Sequence, residues 1–116
     1  MSRRDDLTRL RHMLDHANEA VEMAHGLSVE DLARDRRTQL AIIHLIGIVG
    51  EAANRVSEEA AAGIPEIPWP LVVGMRNRLI HGYDKVDLEV LERTVRLDLP
   101  PMIAVLRGAV ARMEPG

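Results

Sequence analysis

Between residues 76 and 87 the chain reads RNRLIHGYDKVD, which gathers arginine, asparagine, histidine and tyrosine into a short stretch. An imidazole such as that of His81 can accept and return a proton near neutral pH. A guanidinium such as that of Arg76 can hold a phosphate through paired N–H donors. Together the two groups could catalyse transesterification of RNA. The ribose 2′-hydroxyl would attack the neighbouring phosphorus, with His81 as general acid or base and Arg76 balancing the developing charge. That reaction requires no metal. The same two residues also have a plainer reading, as a helix-end cap and a surface ion pair, and spacing by itself leaves both open.

The elements that must carry this cluster read as helices. Leu10, Met13 or Leu14, Ala17, Val21 and Ala24 form a stripe of three-to-four spacing over residues 8–24, stopped by Gly26. Ser28 followed by Asp31 signals the start of a short helix. The strongest helical pattern runs from Asp35 to Ala62, with Ile42, Leu45, Val49, Ala52 and Val56 on one surface. Between Leu40 and Val49 it is apolar on nearly every side, which places it centrally or against a second subunit. Its polar residues form one narrow line of Arg37, His44, Glu51 and Arg55, with Gly47 allowing close approach.

GIPEIPWP then breaks the chain, with Trp69 as an anchor, and Pro70 opens a helix predicted to run to His81. Gly82 is placed to end that helix in a left-handed conformation, and His81 falls in its last turn, at the negative end of the helix dipole. On such a helix Asn77 and His81 share a face and Arg76 lies about 140° away; Glu51 is the candidate acidic partner of Arg76, or merely pairs with Arg55. Asp87 can cap the next helix, and Pro100–Pro101 bends or restarts the chain before MIAVLRGAVARM. No segment alternates like a strand. The expectation is an all-α, up-and-down bundle of four to five main helices in a single domain, residues 1–116.

Composition narrows the function. The absence of cysteine excludes disulfides, thiolate metal sites and a cysteine nucleophile. The longest apolar run is too short to span a bilayer and contains His44, and the first residues are charged where a signal peptide needs an apolar stretch, so a cytoplasmic protein without membrane partners is expected. A net charge of −3, with one Trp, one Tyr and no Phe, argues against a general nucleic-acid coat protein and leaves a local RNA site built from a few arginines. His12 and His16 have a spacing that can bind metal, yet no third ligand accompanies them. An exposed helix face is the simpler reading, and no metal or other cofactor is expected. Arg34, Arg36 and Arg37 read as a solvated helix start.

The order Arg76, four residues, His81, one residue, Tyr83 resembles the signature of the HEPN superfamily, specifically of HepT-like toxins. The likeness covers most of the chain, from GLSVEDLARDRRTQLAIIHLIGIVGEAANRVSEE through MRNRLIHGY, with the IPW turn before the motif and the DLPP segment after it. The resemblance implies an α-helical homodimer whose two motif copies face a shared cleft, acting as a metal-independent ribonuclease. It also implies a partner antitoxin, a minimal nucleotidyltransferase that transfers AMP from ATP to the motif tyrosine. Carried over by position, Arg76 and His81 are the catalytic pair, Asn77 supports them and Tyr83 is the AMPylation target. Two rival readings keep the same helical dimer without catalysis. In one it is a nucleotide-binding or partner subunit of a nucleotidyltransferase; in the other it is purely structural.

Overall fold

The computed structural model describes residues 2–115, so the two end positions of the expected domain lie outside the description. Helix α1 (Arg3–Ala24) begins earlier than Thr8, because Ser2 and Asp5 satisfy each other's backbone N–H groups in a capping box. It ends at Gly26, which takes a φ of 80°. Ser28 and Asp31 repeat the capping box at α2 (Val29–Ala33), and Asp35 caps α3 (Arg36–Asn54) through the Thr38 N–H.

The helix expected over Asp35–Ala62 is broken. Ser57 caps a separate short α4 (Glu58–Ala62), and its N–H and hydroxyl donate to the buried Asp6 carboxylate at 2.9 and 2.7 Å. Ser57 is thus a local cap at the break, and a carboxylate on α1 holds it in place.

The proline-rich turn docks through buried Ile64 and Ile67 and through Trp69, whose indole N–H donates to the carbonyls of Ala61 and Ile64. Helix α5 (Trp69–Val73) carries Pro70 in its first turn and ends far short of His81. Its last carbonyls press on Gly50 of α3, where an added Cβ would lie 3.1 Å from the Val73 oxygen and 3.2 Å from that of Val72. Arg78 reaches back to cap the Leu71 carbonyl at 2.9 Å. Beyond Gly74 a 3₁₀ turn (Met75–Arg78) leads into a hairpin of β1 (Ile80–His81) and β2 (Lys85–Val86), with Ile80 opposite Val86 and His81 opposite Lys85. The tight turn and hairpin bury Met75 and Leu79 while exposing their polar neighbours. The single long helix and the absence of strands expected here are both corrected.

Asp87 caps α6 (Leu88–Arg93) as expected. The chain then stays helical through a π turn (Thr94–Asp98) into α7 (Leu99–Met113), with the Leu99 N–H donating to the Thr94 carbonyl. Pro100 and Pro101 lack N–H groups and crowd the carbonyls of the preceding turn, and the wider π turn accommodates them without stopping the helix. Helix α1 packs on both α3 and α7, and α5 packs on α3. Leu10, Met13, Ala17, Ile42, Ile46, Leu99 and Leu106 lie in one core, and the alanines of α1 let its neighbours approach closely. The fold is all-α apart from the small hairpin. No helix of the described residues is long and apolar enough to cross a membrane.

Candidate active site

The 3₁₀ turn and hairpin run along α3 towards its N-terminus. Val72 and Val73 lie against Gly50, Arg76 lies against Gly47, and Arg36 donates to the Asp84 carbonyl in the hairpin turn at 3.4 Å. Arg76 is therefore carried by a short turn braced on the central helix. A Cβ on residue 47 would come within 3.1 Å of Arg76 Cδ, so the glycine leaves room for the aliphatic stem to cross the helix. The Arg76 side chain is exposed and forms no ion pair or hydrogen bond with the described residues. Glu51, one turn along from Gly47, pairs with Arg55 at 3.8 Å, the second of its two expected partners, and not with Arg76 within the described chain. His44 lies one turn the other way and is also exposed.

His81 lies on β1, so the expected helix dipole does not act on it. Its Nε2 is 2.7 Å from Asp87 Oδ2. The other Asp87 oxygen, Oδ1, accepts from the Val90 N–H at 3.1 Å, and the Asp87 N–H donates to the Leu79 carbonyl at 2.8 Å. The hydrogen bond from His81, then that from the Val90 N–H, holds the Asp87 carboxyl below its usual range. Asp87 is thus a carboxylate at neutral pH and can only accept, so Nε2 carries the proton it donates. That leaves Nδ1 of His81 without a partner among the described residues, on a side chain that is 65% exposed.

Asn77 is exposed in the same turn as Arg76, and its N–H donates to the Gly74 carbonyl. Tyr83 stands at the tip of the hairpin, 91% exposed, just after Gly82, whose φ of 68° makes the tight turn. The left-handed glycine was expected as a helix cap and instead shapes a hairpin.

A family model described as ribonuclease HepT-like matches residues 13–108, a span that contains Arg76, Asn77, His81, Tyr83 and Asp87. The chain belongs to the HepT-like ribonuclease family. Among its relatives, a protein of Thermococcus cleftensis named as a probable ribonuclease HepT is 37% identical over 77% of this chain and 84% of its own length. A Methanocaldococcus jannaschii protein provisionally named an RNase is 31% identical over 86% of this chain and 92% of its own length. Another so named, from Caldanaerobacter subterraneus, is 29% identical over 80% of this chain and 83% of its own length. No solved structure matches the chain.

The arrangement places an imidazole hydrogen-bonded to a carboxylate on the hairpin and an exposed guanidinium on the turn before it. Asp87 was legible in the sequence only as a helix cap. Its second role depends on the hairpin that brings it back to His81. His12 and His16 bond locally, His16 Nδ1 to the His12 carbonyl at 2.7 Å, and no cluster of three or more metal-ligating side chains occurs among the described residues.

Proposed function

We propose that the protein is a metal-independent endoribonuclease acting as the toxin of a type II toxin–antitoxin pair, with Arg76 and His81 as its catalytic residues and Asn77 supporting them. The observation that carries this reading is His81, an exposed side chain held through Nε2 with no partner for Nδ1 among the described residues, on a chain of the HepT-like ribonuclease family. In the reaction the ribose 2′-oxygen bonds to the adjacent phosphorus and the bond from phosphorus to the 5′-oxygen breaks. The 2′-hydroxyl proton passes to a base, the 5′-oxygen receives one from an acid, and the products are a 2′,3′-cyclic phosphate and a 5′-hydroxyl. His81 Nδ1 serves one of these transfers, and Arg76 donates to the non-bridging oxygens as charge builds on them.

A homodimer interface completes the site in this reading. Leu40, Leu71 and Val73 are 45, 57 and 39% exposed, apolar surface on α3 and α5 near the Arg76 turn that a second copy would cover. Groups from two subunits then serve one RNA, and Glu51 supports Arg76 across the interface by exchanging its exposed pair with Arg55 for it. The cognate antitoxin is a minimal nucleotidyltransferase that joins the Tyr83 oxygen to the α-phosphorus of ATP, releasing pyrophosphate. The exposure of Tyr83 suits it to enter another enzyme's site. AMP placed two residues from His81 adds a bulky anion where an RNA phosphate binds, so the block is steric and electrostatic.

The test uses purified protein whose mass shows no added AMP, incubated with total RNA in EDTA beside a His81→Ala variant. Cleavage by wild type only, leaving 2′,3′-cyclic phosphate ends, is expected. A folded dimer that cleaves nothing would instead favour the partner-subunit reading, and equal cleavage by both proteins would remove His81 from the chemistry.

A further inference from the structure

Asp87 has two oxygens with two different tasks. Oδ1 caps α6 through the Val90 N–H, while Oδ2 accepts from His81 Nε2 at 2.7 Å. Its backbone N–H is fixed in turn by the Leu79 carbonyl, the residue that closes the 3₁₀ turn carrying Arg76. The carboxylate is only 25% exposed, whereas the imidazole it holds is 65% exposed. A well-anchored acceptor therefore grips one nitrogen of an exposed ring whose other nitrogen has no partner among the described residues.

We infer that Asp87 is a positioning residue for the proton transfer: it keeps the neutral His81 ring protonated at Nε2, so that Nδ1 is the atom that exchanges a proton with RNA. The inference rests on the ribonuclease reading for its catalytic part. The physical basis does not, since a carboxylate can only accept, and the hydrogen bond made by one ring nitrogen sets the protonation of the other. Because the same carboxylate caps α6, the ring takes its orientation from the start of that helix.

Asp87→Asn tests this with the cap preserved, since asparagine is as good an N-cap as aspartate. With its oxygen kept on the Val90 N–H, the amide presents N–H donors to Nε2, which favours the opposite tautomer and places the proton on Nδ1. The expected result is a folded protein with a thermal midpoint lowered only slightly, a reversal of the His81 ring nitrogen shifts in ¹⁵N NMR, assigned by comparison with His81→Gln, and RNA cleavage lowered by about 10²- to 10⁴-fold, the range general acid–base groups contribute. The pH–rate profile should also change shape, which a merely structural residue would not bring about. Nitrogen shifts of wild type showing Nδ1–H in the neutral ring would overturn the inference, as would full cleavage by a variant whose tautomer has reversed. If wild type cleaves no RNA, the ribonuclease reading fails separately, and the nitrogen shifts still decide whether Asp87 sets the His81 tautomer.

Discussion

Arg76 crosses α3 at Gly47, where a side chain on residue 47 would begin 3.1 Å from its Cδ atom. Gly50, one turn further along, faces the Val73 and Val72 carbonyl oxygens at 3.1 and 3.2 Å. The two glycines meet obstacles of similar closeness but different softness, because a flexible side chain can shift and a packed backbone cannot.

Alanine substitutions should therefore separate them. Gly47→Ala gains about 1 kcal/mol of helix propensity and displaces only Arg76, so the thermal midpoint should hold or rise. Cleavage should nevertheless fall, by about tenfold, since small misplacements of catalytic groups are costly. Gly50→Ala should lower stability, because an overpacking cost of about 1–3 kcal/mol outweighs the same propensity gain. Thermal melts and initial cleavage rates on both variants check this. A destabilised Gly47→Ala with unchanged activity would mean that Gly47 does not position Arg76.

Arg76→Ala should leave the fold intact, since the exposed guanidinium makes no ion pair or hydrogen bond within the described chain. A change in stability within about 0.5 kcal/mol is expected for such a surface site. Cleavage should drop by about 10²- to 10³-fold, the usual loss when one preorganised donor is removed from a developing oxyanion. Urea melts and single-turnover rates measure the two effects. A large loss of stability, or of the dimer, would mean that the arginine is structural.

Tyr83→Phe removes only a hydroxyl from a side chain that is 91% exposed. It should cleave RNA at the wild-type rate yet gain no AMP when incubated with ATP and a nucleotidyltransferase that adds AMP to the wild-type protein. Intact mass and residual cleavage after that incubation report the outcome. Addition of AMP to the phenylalanine variant would place the modification elsewhere.

Acid should weaken the fold in a definite direction. Hydrogen bonds from Ser2 lower the Asp5 carboxyl, those from Ser28 lower Asp31, and those from Thr38 lower Asp35, each from an ordinary value of 3.8. Asp87 is lowered first by His81 and then by the Val90 N–H. A carboxyl depressed in the folded state binds its proton more readily when unfolded. These caps therefore contribute fully above about pH 4, near the unfolded value, and the contribution is lost as pH falls through the lower folded values. Thermal midpoints measured from pH 6 downward should fall most steeply below about pH 4. A midpoint flat through that range would contradict the cap geometry.

What could be read from the sequence was local. The Ser28–Asp31 box, the Asp87 cap, the left-handed Gly82 and the stripes of α1 and α3 all depend on residues within a turn or two of one another, where helical spacing fixes who meets whom. The family signature from Arg76 to Tyr83 belongs to the same short range. Tertiary structure decided the rest. Asp6 anchors Ser57 at the break in the long helix from 51 residues away, a contact no periodicity contains. The last turn of α5 meets Gly50, so residues 75–81 leave the helix for a tight turn and a hairpin. That departure returns Asp87 to His81 and lays Arg76 over Gly47. Residue types near the motif supply the chemistry, but which oxygen holds which nitrogen depends on where packing ends a helix, and that is set by atoms distant in the chain.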